Sequence, residues 1–282
     1  MRLGSGDRSN VEDRRGLGGM GLRLGLGGTL VLAVLSALFG TDLLSSADAP
    51  AGPADPQQVE RRKAGEAELE EVAVASFNDA QELWSRALPD RYRPSTLVLF
   101  WDGTGSGCGD AFAAMGPFYC PLDEKVYIDL GFYRELARRF GATGDLAQAY
   151  VMAHEVAHHV QHVLGIAERV RAAQERDPAV RNALSVRMEL QADCLSGAWA
   201  RSVGERGRLD PGDIEEGLRA AAAVGDDRVQ RATAGRVRPE SFTHGTAEQR
   251  STWFRRGYEH PSLAACDTFG EDRPRAQARR GR

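Results

Sequence analysis

A chain of 282 residues, 42% of them hydrophobic, is long enough for one sizeable core plus tails. Its formal net charge is only −4, with acids and bases interspersed, so nothing in it argues for a nucleic-acid partner. It has no internal repeat, and the early glycines of LGGMGLRLGLGG adjoin a hydrophobic span without leading into a βαβ pattern, which excludes a phosphate-cradling loop.

In chain order, residues 1–21 form a basic amino-terminal segment. The apolar stretch 22–40 centres on LVLAVLSALF, near the lower limit of roughly 17–25 residues for crossing a bilayer, and reads as a transmembrane anchor or a signal-peptide core. Arg8, Arg14, Arg15 and Arg23 lie before or at its start, whereas Asp42, Asp48 and Asp55 follow it with no basic residue until Arg61. That asymmetry keeps the amino terminus cytoplasmic. A single-pass protein of the bacterial cytoplasmic membrane with an extracytoplasmic domain is therefore expected, while Ala47-Asp48-Ala49 leaves release by signal peptidase open.

Residues 41–65, including SSADAPAGPADPQQ, read as a linker. VAVASFNDAQELWSRAL, stopped by Pro89, has the spacing of an amphipathic helix. The β-branched and aromatic runs TLVLFW (96–101) and KVYIDL (125–130) are expected strands. KVYIDL is either an edge along which an extended peptide can pair, or the neighbour of that edge, or an ordinary sheet strand.

Residues 150–165, YVMAHEVAHHVQHVLG, contain H-E-x-x-H as His154, Glu155 and His158. Apolar residues from Leu146 to Leu164 recur at helical intervals, Thr143 or Asp145 can cap the start, and Gly165 suits the end. Two imidazoles four residues apart on one helix face can share one zinc ion, with Glu155 beside any bound water as general base. His159 points to another face, His162 is an alternate ligand on the edge of the stripe, and His260 carries no local signal.

A catalytic zinc takes a third protein ligand. The next helix opens with Asp177 as cap and Pro178 in its first turn, and runs VRNALSVRMELQADCLSGAWA, with Glu189 and Asp193 sharing a face. Glu189 is the expected ligand, and Asp193 the acceptor of a ligand histidine's far N–H. Further on, PGDIEEGLRAAAAVG forms another helix, and Thr246 and Gln249 of THGTAEQR fit a capping box just after His244.

These residues resemble the gluzincin pattern, two histidines and a glutamate from a following helix on one zinc. More of the chain resembles the bacterial putative neutral zinc metallopeptidase family: SNVEDRRG (9–16), CGDAFAAMGPFYCPLDEKVYIDLGF (108–132), AHEVAHHVQ (153–161), RMELQADCLSGAWA (187–200) and FTHGTAEQRSTWFRRGY (242–258) match in order. The resemblance implies a zinc endopeptidase acting on polypeptide, and gives His244 the role of the downstream histidine that assists zinc in other gluzincins. Family members that keep a membrane anchor favour the anchor over cleavage here.

Export would place Cys108, Cys120, Cys194 and Cys266 where disulfides persist. Of three pairings, Cys108 with Cys120 and Cys194 with Cys266 is preferred, against metal ligation or free thiols. The expected fold is α+β, a mainly helical zincin-like metallopeptidase domain over 66–270 with a small β-sheet beside the zinc helices, preceded by one transmembrane helix and followed by a disordered basic tail, 271–282. The rival reading is a non-catalytic zinc-binding ectodomain serving as an envelope binding or assembly module.

Overall fold

The computed structural model describes residues 1–17 and 55–270. Six strands and nine α-helices are found there: β1 (Val11–Asp13), α1 (Pro56–Ala64), α2 (Ala67–Ala87), β2 (Thr96–Leu99), β3 (Gly103–Ser106), β4 (Gly109–Phe112), β5 (Phe118–Cys120), β6 (Lys125–Ile128), α3 (Gly131–Phe140), α4 (Asp145–Val163), α5 (Ile166–Arg176), α6 (Arg181–Glu205), α7 (Asp213–Ala223), α8 (Asp226–Ala234) and α9 (Ala247–Glu259). The fold is α+β and mostly helical, with a small sheet.

The main sheet has the order β1-β2-β6-β5, parallel except for β5, which runs antiparallel to β6. KVYIDL therefore supplies an interior strand, and the edge next to the helices is β5. Side chains alternate across the sheet. Leu97, Leu99, Val126 and Ile128 face the helical core, whereas Val98, Phe100, Cys120 and Tyr127 form a smaller cluster on the other face. The β3–β4 hairpin stands apart and is tied to the end of β5 by the Cys108–Cys120 disulfide.

Helix α4 is the axis of the molecule. Its apolar residues are buried on every side, from Leu146 and Ala149 to Val156 and Val160, because α2, α6 and α7 all pack on it. Neither Thr143 nor Asp145 caps it: the cap is Gly144, with φ 105° and no side-chain hydrogen bond. Gly165 turns the chain out of it at φ 67°. At the entry to α6, Asp177 caps a 3-10 turn, Pro178–Val180, that leads into the long helix.

Helix α9 lies against α6 at backbone contact distance. A Cβ on Gly197 would sit 2.0 Å from the Phe254 carbonyl oxygen, and one on Gly257 would sit 1.8 Å from that of Cys194. Only glycine permits this approach. It brings α9 side chains onto the inner face of α6.

The expected transmembrane helix and single-pass membrane localisation need correcting. Among the described residues no helix is long and apolar enough to cross a membrane, and the 22–40 stretch itself lies outside them, as does the 271–282 tail. Residues assigned to the cytoplasmic side are built into the same sheet as the rest: β1 pairs in parallel with β2 through Val11–Leu97, Glu12–Val98 and Asp13–Leu99. Buried Arg15 then bonds Asp13 at 2.9 Å, Glu70 at 2.5 Å and Glu66 at 3.4 Å. Segments on opposite sides of a bilayer cannot share a hydrogen-bond ladder. The charge asymmetry around 22–40 does not report topology at Arg14 and Arg15, which serve local ion pairs in the fold.

Candidate metal centre

Helical spacing sets the centre. His154 and His158 are one turn apart on α4, and Glu189 reaches them from α6, so that the three offer ligand atoms within 4.8 Å of one another. His154 Nε2 lies 3.1 Å from Glu189 Oε2, and His158 Nε2 lies 3.5 Å from Glu189 Oε1. Tetrahedral zinc with ligands at about 2.0–2.1 Å separates its donor atoms by roughly 3.3 Å. The donor set and its spacing fit that ion.

Each imidazole has its other nitrogen occupied, which leaves Nε2 for the metal. His154 Nδ1 is 3.0 Å from Asp193 Oδ1, and His158 Nδ1 is 2.8 Å from Gln161 Oε1. Gln161 is held in turn by its amide group, which donates to Met188 O at 2.8 Å and to Gln191 Oε1 at 3.1 Å. Asp193 is fully buried and receives the Tyr150 hydroxyl at 2.5 Å and two bonds from Arg250.

Electrostatics at the centre favour a cation. Burial opposes charge on His154, yet hydrogen bonds with Asp193 and Glu189 outweigh it and push its pKa up to about 9. Burial alone would raise Glu189, but the His158 charge and the His154 hydrogen bond hold it well below the usual carboxylate range. Burial likewise opposes ionised Asp193 and is overcome by Arg250 and His154.

Glu155, 8% exposed, opens into a cleft of about 1590 Å³ also lined by His154, His158, Glu189, His244 and Arg250. His244 sits half exposed at this cleft, its Nδ1 3.0 Å from Asp226 Oδ1. Asp226 Oδ2 accepts the backbone N–H groups of Thr243, His244 and Gly245 at 2.7, 2.7 and 3.1 Å. Burial acts against charge on His244, but the Asp226 hydrogen bond outweighs it and raises the pKa. The Thr246–Gln249 capping box that starts α9 fixes the loop's exit.

His159 and His162 are outside the cluster. His159 is fully buried against Tyr119 and Arg93, and His162 lies between Glu124 and Glu168, at 3.3 and 2.6 Å. The Cys194–Cys266 disulfide closes beside Asp193, with a sequence separation of 72. Tyr150 and Asp226 lie outside the matched segments, and Gln161 and Arg250 fall inside segments that assign them no role. Periodicity did hold a signal for two: Tyr150 is four residues before His154, and Gln161 three after His158, on the zinc face of α4.

Residues 2–269 match the model of a family described as putative neutral zinc metallopeptidase. The chain is 43% identical over 281 residues to the uncharacterized protein YpfJ of Escherichia coli (strain K12), covering 95% of this chain and 98% of that protein. It is 44% identical over 207 residues to the uncharacterized protein Rv2575 of Mycobacterium tuberculosis (strain ATCC 25618 / H37Rv), covering 70% of this chain and 69% of that one. No solved structure gives a significant match.

Proposed function

The chain belongs to the family described as putative neutral zinc metallopeptidase, and from that premise we propose that it is a zinc-dependent endopeptidase, with His154, His158 and Glu189 holding one zinc ion and Glu155 as general base. The observation that carries the reading is the convergence of those three side chains, within 4.8 Å, at a cleft that Glu155 also lines. When bound, zinc polarises the scissile carbonyl and makes a water molecule acidic enough to attack it.

The remaining work falls to the protein. The Glu155 carboxylate accepts the attacking water's proton and passes it to the leaving amine as the C–N bond breaks. Asp193 and Gln161 hold the two imidazoles in the tautomer that presents Nε2, and Arg250 keeps Asp193 ionised. His244, steadied by Asp226, donates a hydrogen bond to the oxyanion of the tetrahedral intermediate. The substrate backbone extends along β5, whose residues Phe118 and Tyr119 line the cleft. At about 1590 Å³ the cleft exceeds the roughly 300–1,000 Å³ of small-molecule pockets, as a polypeptide substrate requires.

Cleavage of casein and of a diverse peptide library by the purified chain, with and without a zinc chelator, tests the proposal. Chelator-sensitive cleavage is expected. Zinc-loaded, monodisperse protein that cleaves nothing would overturn it in favour of a binding module.

A further inference from the structure

Strand β5 forms the cleft edge of the sheet. It is three residues long, pairs with β6 on one side only, and is bracketed by Pro117 and Pro121, which cannot donate to a ladder. Phe118 and Cys120 point to the outer face of the sheet, where Phe118 stacks on Tyr127 at 4.9 Å and Cys120 is bonded to Cys108. Tyr119 is the one residue of the strand on the helix face.

There its hydroxyl meets His159 Nδ1 at 2.9 Å, while His159 Nε2 lies 2.6 Å from the Arg93 carbonyl oxygen. A carbonyl only accepts, so Nε2 carries the hydrogen and Nδ1 must accept from Tyr119. His159 is fully buried, stacked edge-on against Tyr92 at 5.2 Å, and adjacent in sequence to His158. The bond thus ties the cleft edge of the sheet to the residue next to a proposed zinc ligand.

We propose that Tyr119 and His159 are positioning residues, a latch that fixes the height of the β5 edge above α4 so that an extended peptide pairs with the strand in register with Glu155. This rests on the endopeptidase reading and deepens it: the latch serves substrates long enough to pair along β5, and does nothing for short ones. A rigid edge means that less order is imposed at the moment of binding, so the latch acts on affinity rather than on the chemical step.

The test uses the full zinc-loaded chain and the variants Tyr119→Phe and His159→Gln. Gln keeps an amide donor for the Arg93 carbonyl and moves its acceptor oxygen away from the Nδ1 position that the Tyr119 hydroxyl meets. Loss of one such bond should raise KM about five-fold for peptides of about eight residues, with zinc content at one ion and a much smaller change in kcat and in cleavage of blocked dipeptides. The double variant should be no worse than either single one. In a Glu155→Gln background, fluorescence anisotropy of a labelled long peptide should show the same weakening, and amide exchange at residues 118–120 should quicken. A merely structural role would lower activity on long and short substrates alike, and that result, or unchanged KM and exchange, would overturn the latch. If wild type cleaves nothing while long peptides still bind, and bind more weakly to Tyr119→Phe, the hydrolytic reading fails and the latch stands.

Discussion

Arg250 grips Asp193 at two points, Nε to Oδ2 at 2.8 Å and Nη2 to Oδ1 at 3.0 Å, with both side chains out of solvent. The pair spans two helices in backbone contact and stands directly behind His154. Arg250→Met leaves a buried carboxylate without its counter-charge, and should cost about 3–5 kcal/mol of stability by urea denaturation. Asp193→Asn instead weakens the partner of a zinc ligand. Zinc affinity, measured by competition with a chelating dye, should fall about 10- to 100-fold.

Glu155 and His158 separate catalysis from metal binding. Glu155→Gln removes the base but none of the three proposed ligands, so zinc content by elemental analysis should stay at one ion while turnover drops by about 10²–10⁴. His158→Ala should lose zinc and activity together. Normal turnover in metal-loaded Glu155→Gln protein would remove Glu155 from the mechanism.

Much of this was legible because it is local. The apolar spacing of 146–164 announces α4, the run TLVLFW announces β2, and Thr246 with Gln249 announces the start of α9, each within a few residues. The place of the amino terminus is not legible locally, because a three-residue strand has no periodicity and β1 exists only through its pairing with β2, 86 residues on at Val11 and Leu97. Nothing local marks the role of Arg250. The contact with Asp193 depends on Gly197 and Gly257 letting two helices touch, a tertiary fact with no local pattern.

His244 supplies a pH test. Its pKa is raised above the ordinary 6.5, so its charged form persists at higher pH and is lost as pH rises through the raised value. Asp226→Asn removes the anion that outweighs burial. If the His244 cation assists the reaction, the alkaline limb of kcat/KM against pH should move to lower pH in Asp226→Asn, and His244→Ala should lower kcat/KM below that limb and abolish the limb itself. An unmoved limb would make the pair a loop fixture.

Asp13 makes the amino-terminal strand acid-sensitive. Burial opposes its charge, but hydrogen bonds from Arg15 and Lys63 outweigh this and hold the pKa down at about 2, against 3.8 ordinarily. A depressed carboxylate stabilises the fold above the unfolded value, and that contribution is lost as pH falls from 3.8 towards about 2. Urea midpoints should therefore drop across this window in wild type and drop less in Asp13→Asn. Amide exchange at residues 11–13 should quicken over the same range.

The Cys194–Cys266 disulfide should affect zinc as well as stability. It closes a loop of sequence separation 72, for which chain entropy alone gives about 4 kcal/mol. From Cys266 a chain of hydrogen bonds runs to the metal face: Gln191 Nε2 donates to Cys266 O at 2.9 Å, Gln161 Nε2 to Gln191 Oε1 at 3.1 Å, and Gln161 Oε1 meets His158 Nδ1 at 2.8 Å. Cys266→Ser frees the carboxyl-terminal segment, so Gln191 loses its acceptor and Gln161 its fixed orientation. Zinc affinity should then fall several-fold along with thermal stability, whereas Cys108→Ser, which unties only the β3–β4 hairpin from the outer face of β5, should leave zinc affinity unchanged. Equal zinc affinity in the two variants would show that the glutamine relay does not bear on His158.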